Sequence, residues 1–108
     1  MNVLLVIMDS VRASNTSLHG YERDTTPYLE SMAGESRIYL QARSPSRWSV
    51  PSHASIFTGL HTPEHGLDKI GKRLSGGETI WEWLRDRGYE TGVFSRNSFL
   101  VLDDTGLD

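Results

Sequence analysis

The first apolar run, Val3-Leu4-Leu5-Val6-Ile7-Met8, is continuous and stops at Asp9. A short, uninterrupted, partly β-branched run predicts a central parallel strand covered on both faces. Asp9 and Ser10 would then sit at the strand's C-terminal end, where open α/β sheets place their ligands. Residues 14–24 are polar, contain Gly20 and read as a loop. Thr25-Thr26-Pro27 predicts a helix start, with a Thr cap and Pro in the first turn. Tyr28, Leu29, Met32 and Ala33 give that helix one apolar stripe, and Gly34 and Ser36 end it. Residues 38–42 suit a short strand and 43–47 a loop.

Residues 51–58 read as a short helix closed by Gly59. The following stretch, 60–77, holds Pro63, Gly66, Gly71, Gly76 and Gly77 among polar groups and reads as a long surface connection. Thr79 caps a third helix, with Ile80, Trp83 and Leu84 inward and Gly88 as its stop. Residues 91–95 form another candidate buried strand, and the tail after Leu102 offers no closing element, as though the chain were cut off. Strands alternating with helices imply an α/β fold with a mostly parallel sheet, residues 1–108 making one domain. An exposed sheet edge on such a partial core favours self-association.

Composition narrows the function. The chain has 108 residues, enough for one modest core, and its net charge of -3 gives no basic field for nucleic acid. No Cys is present, which excludes disulfides, thiolate metal sites and a Cys nucleophile. The first apolar run is too short to span a membrane. It also lacks the basic flank of a signal peptide, so the expected location is cytoplasmic.

Ser49, just before Val50-Pro51, lies at or beside a helix N-terminus, where backbone N–H groups and the helix dipole favour an anion. A nucleophile there is stabilised together with the oxyanion it creates. A plain capping Ser uses the same position. Asp9 can ligate a hard cation or merely cap the next turn. Arg12 can face an anionic substrate or only solvent. His53 follows Ser49 by one helical turn and can lean toward the same anion. His61 and His65 are four apart, but Pro63 and Gly66 argue against the helix that would align them on zinc. His19 reads as a loop residue. Asp103-Asp104 resembles a metal pair placed in a solvated, Gly-containing tail.

Taken in order, Asn2 to Asp9, Thr26-Pro27-Tyr28-Leu29-Glu30, Ser49-Val50-Pro51-Ser52-His53, Phe57-Thr58-Gly59, His65-Gly66, Thr79 and Gly88-Tyr89-Glu90-Thr91 resemble the N-terminal part of a sulfatase of the alkaline phosphatase superfamily. The resemblance implies part of a three-layer αβα sandwich with a metal at the C-terminal edge of the sheet. It implies that Ser49 stands where sulfatases carry the Cys or Ser oxidised to formylglycine, whose hydrated aldehyde attacks a sulfate ester. Asp9 matches the first Asp of the metal-binding pair, with Ca²⁺ or Mg²⁺ as the expected ion and Mn²⁺ or Zn²⁺ as alternatives.

Three positions depart from the family pattern. Ser10 stands in place of a second metal-binding Asp, and His53 in place of the Arg that ends the nucleophile motif. Ser95-Arg96-Asn97 replaces a segment that supplies substrate-binding Lys and His, leaving Arg96 as the substitute cation. The expected substrate is therefore a small-molecule or glycan sulfate ester. The alternative is a phosphate ester, handled by unmodified Ser49 as in metal-dependent phosphodiesterases and phosphoglycerol or phosphoethanolamine transferases. A third reading makes these 108 residues a non-catalytic piece, inactive alone because further metal ligands come from elsewhere.

Overall fold

The computed structural model describes residues 1–101 and 104–107 of the chain. They group into two compact units, residues 1–43 and 44–108.

In the first unit the only regular helix among the described residues is α1 (Pro27–Met32), continued by a 3₁₀ turn at Ala33–Glu35. Pro27 opens it as expected, because a first-turn N–H has no intrahelical partner to lose. Thr26 does not cap its own helix. Its Oγ1 instead accepts from Leu18 N–H at 3.0 Å, while Thr26 N–H donates to Ser17 Oγ at 2.9 Å. Thr25 Oγ1 likewise accepts from Ser17 N–H and donates to the Asn15 carbonyl. The polar stretch before α1 is thus two 3₁₀ turns, Ala13–Asn15 and Ser17–His19, stitched to the helix entrance by hydroxyls. Tyr28 and Met32 of the anticipated stripe are exposed; Leu29 and Ala33 are half-buried.

The second unit is built around α2 (Ser49–Thr58). Val50, Ala54 and Phe57 recur at helical spacing on its buried face and meet Leu67 and Leu107, with Trp48, Leu74 and Trp81 packed at the margin. Gly59 ends the helix in the left-handed region (φ 72°), its N–H bonded to the Ser55 carbonyl. The helix α3 (Thr62–His65) packs on α2, as does α4 (Ile80–Arg85); α5 (Ser98–Val101) follows.

The α4 start is a reciprocal capping box. Thr79 Oγ1 accepts from Glu82 N–H, and Glu82 Oε2 accepts from Thr79 N–H at 2.7 Å. These bonds from Thr79 hold the Glu82 carboxyl below the usual carboxylate range. Thr79 is buried, so Thr79→Ala loses the cap without solvent replacing it. Urea unfolding of this variant is expected to show a loss of about 1 kcal/mol.

The expected parallel sheet is not there. No strand occurs among the described residues, so the α/β sandwich inferred from pattern and resemblance is corrected to a helical and irregular architecture. Val3 to Met8 carries no ladder, and Leu4 is 86% exposed; residues 38–42 and 91–95 are also unpaired, with Phe94 at 101%. The reason is physical. An apolar run is buried as a parallel strand only when neighbours satisfy both edges and helices cover both faces. No described segment within either unit offers such an edge. The run instead leaves a contiguous apolar, uncharged surface prone to association.

Three smaller expectations also change. The stretch 60–77 is no mere surface connection, because it contains α3 and two wholly buried side chains, His65 and Leu67, both at 0% exposure. On α4 the inward residues are Leu84 and the half-buried Trp81, while Ile80 and Trp83 face outward, Trp83 stacked under the Arg87 guanidinium. The tail is anchored: Leu74 N–H donates to the Thr105 carbonyl at 2.8 Å, and Leu107 enters the core. Asp104 is exposed and pairs with Arg73 at 2.8 Å; Asp103 lies outside the described residues.

Candidate active site

Ser49 is the first residue of α2, with Trp48 in the capping position. Trp48 supplies no side-chain cap, so the partial positive charge of the helix start is left for other groups to use. Val50 and Pro51 bury the helix on one side immediately after Ser49, which itself stays half-buried. The entry loop is fixed from the other side. The Ser44 and Ser52 hydroxyls both donate to the Ser46 carbonyl, at 2.6 and 3.1 Å, and lie 2.8 Å apart.

His53 is brought to Ser49 by the helix itself. Its Nδ1 lies 2.7 Å from the Ser49 carbonyl oxygen. A carbonyl only accepts, so Nδ1 carries the proton and Nε2 is left with the lone pair in the neutral ring. The ring is buried and packs T-shaped on Phe57, ring centroids 5.7 Å apart, as Phe57 does on Trp81 with centroids 5.3 Å apart. Tautomer and orientation are therefore both fixed, the requirement for a histidine that exchanges a proton or binds an anion.

Asp9, Ser10 and Arg12 belong to the first unit and are exposed. Ser10 adopts a left-handed backbone (φ 64°), which costs a non-Gly residue about 1 kcal/mol. Its Oγ lies 3.4 Å from Asp9 Oδ1. A hard cation such as Ca²⁺ takes six to eight oxygen ligands, typically several of them carboxylates. The described residues contain no group of three His, Asp or Glu side chains able to hold a metal, so Asp9 and Ser10 do not by themselves amount to a cation site. Arg12 leads into the first 3₁₀ turn, where its carbonyl accepts from Asn15 N–H. Arg96 lies in the second unit on the exposed segment before α5.

Sequence reasoning passes over Ser55 and weighs His65 only as a zinc-ligand partner of His61. Ser55 Oγ and His65 Nε2 are 3.1 Å apart in the buried interior. Burial holds the His65 pKa below the ordinary histidine value. Pro63 and Gly66, expected to argue against a helix, instead bound one: Pro63 and Glu64 stand in the first turn of α3, with His61 as its cap and Gly66 at its end. His61 and His65 do not form a pair, since His61 is an exposed cap residue and His65 is interior.

The sulfatase family model matches residues 1–106, nearly the whole chain. The chain belongs to the sulfatase family. Among curated proteins, this sulfatase-family chain is similar to an N-acetylgalactosamine-6-O-sulfatase of Bacteroides thetaiotaomicron, 24% identical over 88% of the chain and 20% of that protein. It is 27% identical to a transferase-named protein, YhbX of Escherichia coli K12, over 72% of the chain and 16% of the relative. An arylsulfatase of Clostridium perfringens is 32% identical over 60% of the chain and 14% of its own length. The sulfatase-family chain thus spans about a fifth or less of the curated relatives it matches. No solved structure matches it. No helix among the described residues is long and apolar enough to cross a membrane.

Proposed function

We propose that the chain carries the nucleophile-bearing part of a sulfuric ester hydrolase, with Ser49 as the nucleophile position. The observation that carries this reading is Ser49 at the first position of α2, its turn closed by a tautomer-locked His53. An attacking oxygen there, and the oxyanion it generates, both lie at the positive end of the helix dipole. In the overall reaction, water is consumed, the bond between sulfur and the alcohol oxygen breaks, and that oxygen leaves with a proton. His53 Nε2 is the acid-base group, or the cation that meets the ester anion when protonated. Arg12 and Arg96 are candidate substrate-binding cations. Asp9, with Ser10, would contribute to holding a divalent cation, Ca²⁺ before Mg²⁺, Mn²⁺ or Zn²⁺, and such an ion would supply charge neutralisation.

The similarity to a transferase-named relative favours a second reading, in which unmodified Ser49 attacks phosphorus and forms a phosphoseryl intermediate. The substrate is then a phosphate ester, and the product alcohol leaves before the phosphoryl group is passed to water or another alcohol. In both readings the described residues do not by themselves make up a set of metal ligands, and residues 1–108 alone are expected to turn over no substrate.

Mass spectrometry of the Ser49 peptide, from protein made in its native host, separates the two chemistries. Loss of two hydrogens, the mark of formylglycine, is expected for the sulfate ester reading. An unmodified Ser49 that becomes phosphorylated on incubation with an aryl phosphate sinks that reading and selects the second.

A further inference from the structure

His65 and Ser55 lie outside every role assigned above, yet they form a deeply buried polar pair at the back of α2. Leu67 N–H donates to His65 Nδ1 at 3.1 Å. A nitrogen that accepts a hydrogen bond carries no proton, so the neutral ring is protonated at Nε2. That atom faces Ser55 Oγ at 3.1 Å, so with Nδ1 accepting, Nε2–H is the donor; the Ser55 hydroxyl oxygen and the Pro51 carbonyl, both on α2, are the acceptors within its reach. The pair has the residue types of a nucleophile–base dyad with the proton on the wrong nitrogen. It cannot activate Ser55, and it is closed to solvent.

The same residue is braced through its backbone. Ser75 N–H and Ser75 Oγ both donate to the His65 carbonyl, at 3.0 and 3.2 Å. Gly66 turns the chain in the left-handed region (φ 73°), where a Cβ would run into Ser75 Oγ. Gly76 passes close enough to the Glu64 carbonyl that a Cβ there would stand 2.8 Å from it. His65 therefore sits where α3 and the 66–76 segment are pinned together, and its ring is their polar link to α2. Glu64, beside it in sequence, is the charge that bears on the ring; Ser55, Leu67, the Pro51 carbonyl and the residue's own backbone approach it as neutral groups.

We propose that His65 is a positioning residue for the Ser49 site, fixing α2 through the Nε2–H bond to Ser55 so that Ser49 and His53 hold their places at the helix start. This inference rests on the Ser49 reading for its functional meaning, but its test does not use Ser49 chemistry. A Gln side chain carries an amide nitrogen near the position of Nε2, and an Asn side chain an oxygen near that of Nδ1. His65→Gln thus keeps the donor to Ser55, whereas His65→Asn keeps only the acceptor for Leu67 N–H.

Hydrogen exchange on the 108-residue chain is expected to show backbone amides of α2 opening about tenfold or more faster in His65→Asn. The Trp83 amide of α4, bonded to the Thr79 carbonyl, serves as the internal reference and stays within about twofold. His65→Gln restores α2 protection, and the ¹⁵N signature of the His53 ring stays Nδ1-protonated in Gln but mixed in Asn. Should His65→Asn not fold, Ser55→Ala removes the acceptor instead and is expected to loosen α2 in the same way. Equal α2 protection in the Asn and Gln variants, a rise shared equally with α4, or wild-type protection in Ser55→Ala would each overturn the inference. Failure of the Ser49 reading shows itself separately, in the mass of the Ser49 peptide.

Discussion

Leu67→Ala is expected to destabilise the second unit by about 3 kcal/mol, within the range for emptying a fully buried leucine site. Leu67 is 0% exposed and meets Val50, Ala54, Phe57 and Leu107, so little else can fill the space. The loss has two parts, the transfer free energy of the deleted atoms and the contacts forfeited around the cavity. Set against a typical domain stability of roughly 5–15 kcal/mol, it is a large fraction. Val50 and Ala54 lie on α2 between Ser49 and the rest of the core, so the helix carrying the site loosens with it. Urea titration followed by Trp fluorescence measures the change. A cost below about 1 kcal/mol would place Leu67 on a surface connection, as its Gly-rich surroundings imply.

Local chemistry is the legible part of this chain. Pro27 and Thr79 start helices where their types demand it, and Gly59 closes α2 with the expected left-handed geometry. The Ser-Val-Pro pattern puts Ser49 beside a helix start and His53 one turn on, and both residues are found there. All of these follow from interactions a few residues apart. The sheet depends on partners that periodicity does not reveal. Val3 to Met8 has the composition of a buried strand, yet its burial requires an edge and a cover from elsewhere, and the described residues of neither unit supply them. The Asp9–Ser10 position inherits the same gap, because a ligand set is assembled from distant segments.

Residues 60–77 mislead for the opposite reason. Gly66, Gly76 and Gly77 read as flexibility, whereas two of them are tight approaches to Ser75 and Glu64 and the third crowds Leu60. Glycine chosen for close packing and glycine chosen for a loose turn look alike in sequence. In sequence His65 suggests only a metal ligand, and its role emerges from the Leu67 and Ser55 bonds on its two ring nitrogens. On α4, the capping box locates the helix correctly but not its rotation. Trp81 turns inward against Phe57, and Trp83 stays outside beneath Arg87.

If Ser49 bears the reacting oxygen, turnover depends on it. The protein purified from its native host is assayed with an aryl sulfate and an aryl phosphate in the presence of Ca²⁺ or Mg²⁺, beside Ser49→Ala and the isolated 108 residues. Removing a covalent nucleophile typically costs on the order of 10³-fold or more, because no neighbouring group replaces the missing oxygen. The expected result is hydrolysis of one ester by the native-host protein, lost to that extent in Ser49→Ala, and none by residues 1–108 alone. A Ser49→Ala protein that keeps the wild-type rate would contradict the nucleophile assignment. Ester hydrolysis by the isolated 108 residues, abolished by Ser49→Ala, would contradict the proposal that they hold only part of the site.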